Sequence, residues 1–269
     1  MAKRRFSWLN LRFWLRQRKA IAAAIAFYTC LPIPVNWTLE FEGIAKLAPL
    51  VGIFLGGLLG LVDWGFGALG MPVLTRSALI IGFAIALTGG LHLDGAIDTA
   101  DGLAVPDPQK RLAAMQDSLV GAFGTMAAVM VILLKTVALS ELVDDRALVL
   151  MAAAGWGRWG QVVAIVRYPY LKASGKGAIH KASIESAVAL IPGAIALLGL
   201  SLLQLWLGGD RWLVGVGMAF GGSAIAILIP AWFNRQLGGH TGDTYGAVVE
   251  WTEALLLCLL TALAAASSL

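Results

Sequence analysis

Three aspartates at spacing i, i+4 and i+7 stand in the stretch Gly89-Gly-Leu-His-Leu-Asp94-Gly-Ala-Ile-Asp98-Thr-Ala-Asp101-Gly102. On a helix this spacing projects all three carboxylates from one face. Like charges so close repel one another, and a membrane setting makes each of them dearer by several kcal/mol. A divalent cation relieves both penalties. Carboxylate oxygens with retained waters suit Mg2+, with Mn2+ as the alternative, and the lack of a Cys/His cluster argues against zinc. The plainer alternative is a solvated acidic helix end with no ligand. Three aligned Asp residues among glycines are costly decoration for a helix in an apolar chain, so Asp94, Asp98 and Asp101 are read as the chemical centre.

Two further stretches carry polar groups of matching chemistry. In the loop from Asp107 to Ser118, Lys110 and Arg111 could meet a phosphate, and Asp117-Ser118-Leu-Val-Gly121-Ala-Phe-Gly124 opens the next apolar segment. A Ser or Asp there is also the simplest helix N-cap; Ser118 stays open between the two roles, and Asp117 is assigned to the metal set. The second stretch is Gly238-Gly239-His-Thr241-Gly242-Asp243-Thr-Tyr-Gly246, leading into Glu250 and Glu253. Its glycines allow backbone amides to approach a phosphate at a helix start, where the dipole also favours an anion. Gly239, Thr241 and Gly242 are candidate substrate contacts, and Asp243 with Glu250 offers a second set of oxygen ligands. His92, His180 and His240 are not spaced as a metal cluster and read as hydrogen-bonding residues; His92, inside the aspartate motif, is also placed among the substrate contacts. Lys135 and Arg158 fall inside apolar segments. There each must neutralise a carboxylate such as Glu250 or Glu253, or bind a phosphate.

The elements that position these groups must be membrane helices. The chain has 269 residues, 59% hydrophobic and 13% charged, against about 25% charged in a soluble domain. No soluble core hides that excess. The 32 glycines follow no collagen period and point to close helix contacts, and long continuous apolar stretches exclude a β-barrel. The fold class is therefore all-α, a polytopic transmembrane bundle with about seven spans, each near the ~20 residues that cross a bilayer. Residues 1–269 form one integral membrane domain. Within it, 1–34 are an interfacial segment whose basic and aromatic residues from Lys3 to Lys19 predict an amphipathic helix, and 44–266 are the bundle. The spans are expected at Ile44–Leu69, Ser77–Asp98, Leu119–Ser140, Leu148–Arg167, Ile184–Leu207, Trp212–Phe233 and Ala247–Ala266.

Charge sets the orientation. Basic residues from Lys3 to Lys46, with Lys110, Arg111, Arg167, Lys172, Lys176, Lys181 and Arg235, fall on one side, and only Arg76, Arg146 and Arg211 on the other. The positive-inside rule makes the first side cytoplasmic, and all three polar stretches then face the cytoplasm. The formal charge of +4 belongs to this topology and to contact with anionic membrane lipids. No module that reads nucleic acid is present. Cys30 and Cys258 form neither a disulfide framework nor a metal motif. A homo-oligomer is compatible with the sequence.

An ordered series of motifs resembles the cobalamin synthases (adenosylcobinamide-GDP ribazoletransferases). It runs through Phe27-Tyr-Thr-Cys-Leu-Pro-Ile-Pro34, Pro49-Leu-Val-Gly52, the Gly89–Gly102 stretch, Arg111, Met115, Asp117-Ser118, Gly121, Gly124, Gly157-Arg158, Gly238 to Ala247 and Glu250. Many members carry Arg where Cys30 stands, and others carry Arg and His at the positions of Leu119 and Phe123. The resemblance implies an enzyme of the bacterial inner membrane that depends on Mg2+. It would join α-ribazole, or α-ribazole 5'-phosphate, to adenosylcobinamide-GDP with release of GMP, forming adenosylcobalamin or its 5'-phosphate. Phosphoryl transfer needs positioning and charge neutralisation more than a protein nucleophile. The expected metal set is Asp94, Asp98, Asp101, Asp117, Asp243 and Glu250; the expected substrate contacts are His92, Lys110, Arg111, Ser118, Arg158, Gly239, Thr241 and Gly242. Asp101 is the expected proton acceptor. Two rivals are a phospholipid-type alcohol phosphotransferase, whose D-G-x-x-A-R pattern is not met after Asp94-Gly95, and a cation transporter, which would carry its acids near the midplane.

Overall fold

The computed structural model describes residues 11–34, 36–173, 175–184 and 186–267, without the side chains of 11–16 and Lys176. Residues 3–10 of the expected interfacial helix lie outside the described residues. The remainder of that helix is α1 (Leu11–Tyr28), and its second half docks on the bundle through Ala23, Ala24 and Tyr28. After a short 3-10 turn come α2 (Ala48–Ala68), α3 (Val73–Leu87), α4 (Leu91–Ala104), α5 (Pro108–Ala114), α6 (Ala122–Glu141) and α7 (Arg146–Arg167). Then follow α8 (Lys176–Ser183), α9 (Ile191–Leu207), α10 (Trp212–Val216), α11 (Gly222–Leu237) and α12 (Gly242–Ser267).

Among the described residues, six helices are long and apolar enough to cross a membrane, including Ile44–Ala68, Arg146–Arg167 and Gly242–Ser267. Apolar length in the sequence expects a further span at Ser77–Asp98, and there the structure has a bent pair of helices, which makes a seventh span if the two are taken together. α3 and α4 meet at 90° across a short break. Gly89 and Gly90 occupy the left-handed region at φ 61° and 70°, a conformation open to glycine at little cost, so the helix stops and restarts in a new direction. The aspartate motif is therefore on its own helix, turned away from the apolar segment before it. The chain from Gly209 to Leu237 crosses as one apolar unit that includes a π-turn at Gly217–Gly221 and Pro230 within α11.

α7 is the axis of the bundle. Nearly all its residues from Val149 to Ile165 are buried, and α2, α9, α11 and α12 pack around it. Gly52, Gly56 and Gly60 recur every fourth residue on α2 and meet α7 at Ala154, Leu150–Met151 and Ala147; a Cβ on Gly60 would lie 2.6 Å from that of Ala147. Small residues at this spacing let two helix backbones touch, which supplies packing energy where lipid offers no hydrophobic contrast. The outer faces of the surrounding helices expose Leu61, Trp64, Ile195, Leu202, Trp206 and Phe220, as lipid-facing surfaces do. The described residues form a multi-pass helical membrane protein.

Both ends of the bundle are tied by polar contacts. At one end Arg146 makes a bidentate pair with Asp63 (2.7 Å to each oxygen), donates to Ser77 Oγ and caps the carbonyls of Leu139 and Leu142 at the end of α6. Arg211 pairs with Asp144 and Asp145 nearby. At the other end the 168–172 loop runs beside the 238–242 loop: Leu171 N–H donates to the His240 carbonyl and His240 N–H to that of Pro169. Arg111 fastens α5 here by donating to the carbonyls of Val105 and Gln236.

Candidate active site

The second end carries the acids, and glycines bring them together. α4 crosses α12 where Gly95 faces the backbone of Asp243 and Gly246 faces that of His92; a Cβ on Gly246 would lie 2.8 Å from the His92 carbonyl oxygen, and one on Gly95 would overlap the Asp243 carbonyl. Side chains at these positions would hold the helices apart. Their absence sets Asp243, at the first turn of α12, beside Asp94 and Asp98 on α4. Asp98 feels the negative charges of Asp94, Asp243 and Asp101 and the positive charge of Lys172. Lys172 reaches in from the 168–172 loop and donates to Asp243 Oδ2 at 2.8 Å, and the Thr241 hydroxyl donates to the same oxygen.

A cleft of about 250 Å³ opens at this crossing, lined by Asp94, Asp243, Lys172, Tyr170, Gly242 and, deeper, His92, Gln161, His180 and Tyr245. A shallower groove beyond Asp94 shares Phe27 and Leu91 with it and continues past Cys30, Gly89 and Gly90. Gly242 and Gly246 of the 238–246 stretch both line the cleft, but only at Gly242 is there room beside the backbone: a Cβ there would meet the Tyr170 hydroxyl alone, at 3.9 Å. Gly238 instead ends α11 at φ 79°, and Gly239 lies against Pro169 and Leu171.

Asp101 is held differently from its neighbours. Its two carboxylate oxygens accept the amide hydrogens of Gly121 (2.7 Å) and Gly124 (2.8 Å). It thus caps α6 from another helix. This explains the glycines of the Asp117–Gly124 stretch, since a Cβ on either would collide with that carboxylate. Asp117 is exposed and accepts from the Leu119 amide, a local turn. Ser118 and Lys110 are exposed, with Lys110 near Asp107 at 3.8 Å.

Glu250 and Arg158 are not at the cleft. Inside the bundle Lys135 donates to Glu250 (2.5 Å) and Glu253 (2.6 Å), and Arg158 donates to Glu253 (3.0 Å). Two cations and two anions balance there, around a small buried cavity that His92 also borders. His240 is buried and bridges Thr244 and the Pro230 carbonyl. Among the described residues, no three His, Cys, Asp or Glu side chains gather closely enough to hold a metal ion by themselves. Open carboxylates bordering a cleft do fit Mg2+ in its usual mode, where one or two carboxylates share the ion with waters and substrate phosphates.

Sequence reasoning missed Lys172 as a partner of Asp243, and Gln161 and Tyr170 as cleft residues. The signal for Lys172 was its place in a basic stretch assigned to the same membrane face; for Gln161 it was an amide amid the apolar residues of α7.

Fold and cleft define the class: a polytopic helical membrane protein whose acidic residues converge on one cleft at one end of the bundle. Comparison with known proteins gives the family. The family model described as cobalamin-5-phosphate synthase matches residues 20–261, and the chain belongs to that family. It is 58% identical over 243 residues to the adenosylcobinamide-GDP ribazoletransferase of Trichormus variabilis, covering 90% of this chain and 96% of the relative. It is 52% identical over 237 residues to that of Synechococcus elongatus (87% and 92%) and 46% identical over 253 residues to that of Synechocystis sp. (93% and 97%). The chain is accordingly an enzyme, a transferase. No solved structure matches it.

Proposed function

We propose that this enzyme joins α-ribazole, or α-ribazole 5'-phosphate, to adenosylcobinamide-GDP at the α4–α12 cleft, in a Mg2+-dependent reaction facing the cytoplasm from the bacterial inner membrane. The names of the relatives support the donor substrate. The observation that carries the site is the glycine crossing that sets Asp243 of α12 beside Asp94 and Asp98 of α4, with Asp94, Asp243 and Lys172 lining one cleft. In the reaction the 5'-oxygen of the ribazole bonds to the cobinamide-linked phosphorus, the bond from that phosphorus to the GMP oxygen breaks, and the hydroxyl proton passes to a carboxylate.

Asp94, Asp98 and Asp243 would hold Mg2+ together with the diphosphate, and the bound ion would neutralise charge on the transferring and leaving phosphates. Lys172 gives the same region a cation that can turn from Asp243 to a phosphate oxygen. Gly242, at the start of α12, offers a backbone that an anion can approach without meeting a Cβ. Both oxygens of Asp101 accept backbone amides at the start of α6, which commits its side chain to holding that helix in place. We therefore assign it to positioning and move the proton acceptor to Asp94 or Asp98, which accept no hydrogen bond among the described residues. Clustering of basic residues at the cleft end supports a cytoplasmic site.

The test is product analysis with purified full-length protein, adenosylcobinamide-GDP, α-ribazole and Mg2+. GMP and adenosylcobalamin are expected in equal amounts, and chelation by EDTA should stop both. Asp98→Asn assayed in excess Mg2+ should lose at least about a hundredfold in kcat, the scale of a lost electrostatic contact in a phosphoryl-transfer site. Near-normal turnover would remove Asp98 from the chemistry.

A further inference from the structure

Below the acidic rim, the cleft changes character. Gln161 from α7, His180 from α8, Tyr245 from α12 and His92 from α4 line its inner part, each at least nine-tenths buried: 5%, 4%, 2% and 2% exposed. Gln161 Oε1, both ring nitrogens of His180, the Tyr245 hydroxyl and His92 Nε2 have no hydrogen-bond partner among the described residues. The Tyr28 hydroxyl, fully buried behind them, is unpartnered as well. Four helices besides α1 thus deliver unsatisfied polar atoms to one small volume. A buried polar group left without a partner costs about 1–3 kcal/mol, and native proteins seldom tolerate several together. The arrangement makes sense if a ligand completes them.

The groups describe that ligand. They include donors and acceptors but no charged side chain: burial lowers the His180 pKa to about 4, so its ring is neutral near pH 7. A neutral ligand offering both donors and acceptors suits them. Rings give it shape. Tyr28 lies nearly parallel to His180 and His92, at 13° and 25°, and Phe27 meets His180 edge-on at 4.7 Å. A planar ligand suits such walls. The whole cleft, rim included, has a volume of about 250 Å³, room for a group of nucleoside size and not for a corrin ring. At the rim lie Lys172 and the carboxylates, where the phosphate chemistry was placed.

We propose that this inner pocket is the subsite for a neutral, planar nitrogen heterocycle, with Gln161, His180 and Tyr245 as its specificity-determining contacts. The inference rests on the transfer reaction proposed above. Two reactants carry such a ring: the base of the incoming α-ribazole and the guanine of the leaving nucleotide. The shared chemistry is one heterocycle bound base-inward, with its ribose and phosphate directed to the rim.

The test uses full-length protein in nanodiscs and the variants Gln161→Leu, Tyr245→Phe and Tyr28→Phe, each removing one orphaned group with little change of volume. Binding of α-ribazole and of GMP is measured by calorimetry, independently of turnover, alongside KM for α-ribazole, kcat and the apo melting temperature. A lost hydrogen bond in a buried site should weaken binding about tenfold, while relief of an orphaned group leaves the apo melting temperature unchanged or raises it. Selective loss of α-ribazole binding with a matching rise in KM assigns the pocket to the acceptor base. Selective loss of GMP binding assigns it to guanine. If wild type binds neither probe, or the variants bind both as wild type does, the subsite is overturned. A lowered apo melting temperature with unchanged binding assigns these groups to packing and also overturns it. Binding data of the expected kind in an enzyme that releases no GMP from adenosylcobinamide-GDP would sink the transfer reaction and leave the heterocycle pocket standing.

Discussion

At the scale of single residues, three aspartates that look equivalent in sequence have different work. Asp101 is tied to the amides of Gly121 and Gly124, whereas Asp94 borders the cleft and Asp98 sits among like charges. Replacing Asp101 by Asn puts an NH2 donor against one of two amide donors, and should cost about 1–2 kcal/mol of stability, the scale of a lost cap. Asp98→Asn removes like-charge repulsion and should leave the melting temperature unchanged or higher while turnover collapses. Thermal unfolding beside kcat for the two variants separates capping from chemistry. The i, i+4, i+7 face was legible from spacing alone, but its division of labour was not, because the donors that engage Asp101 come from a helix twenty residues downstream. Histidines give a pH signature at this same scale. Burial lowers His180 and His240 from 6.5 to about 4. Between those values the unfolded chain binds more protons than the folded one, so stability is complete above about pH 6.5 and falls as pH drops towards 4. Melting temperatures recorded from pH 7.5 to 5 should decline below 6.5, and His180→Leu should flatten that decline.

Elements translate glycine into geometry. Sequence composition pointed to close helix contacts, and the α2 stripe of Gly52, Gly56 and Gly60 against α7 is one of them. The α4–α12 crossing at Gly95 and Gly246 was not foreseen, because those glycines read as a phosphate-binding loop and motif spacers. A Gly95→Ala variant must push the Asp243 backbone away and should cost about 1–3 kcal/mol, as overpacking does. It should also lower turnover, since Asp243 moves relative to Asp94. Gly82→Ala on α3 is the control: its Cβ meets nothing within 4 Å, so stability and kcat should hold or improve slightly. Equal effects of both substitutions on kcat would show that the crossing does not set the site. Span positions were readable from apolar length. The 90° turn between α3 and α4 was not, because two left-handed glycines interrupt hydrogen bonding without interrupting hydropathy.

On the scale of the whole molecule, polar residues separate into three groups: an end clamped by Asp63 and Arg146, an end open at the cleft, and a charge-balanced knot between them. Sequence placed Lys135, Arg158, Glu250 and Glu253 inside spans and weighed mutual pairing against ligand binding. As a carboxylate close after Asp243 in sequence, Glu250 reads as the second member of an oxygen-ligand set. Its distance along α12, seven residues from Asp243, carries it instead into the bundle and onto Lys135. The knot makes a prediction that tests both ideas. Lys135→Met leaves two buried carboxylates facing one arginine, and breaking a buried pair in this way costs about 3–5 kcal/mol. Lys135→Met with Glu250→Met restores balance, keeping only the Glu253–Arg158 pair, and should recover most of the lost melting temperature. A double-mutant cycle reads the coupling directly. If Glu250 serves the knot alone, the double variant requires the same Mg2+ concentration for half-maximal turnover as wild type. A stable double variant with a strongly raised Mg2+ requirement would return Glu250 to the metal site.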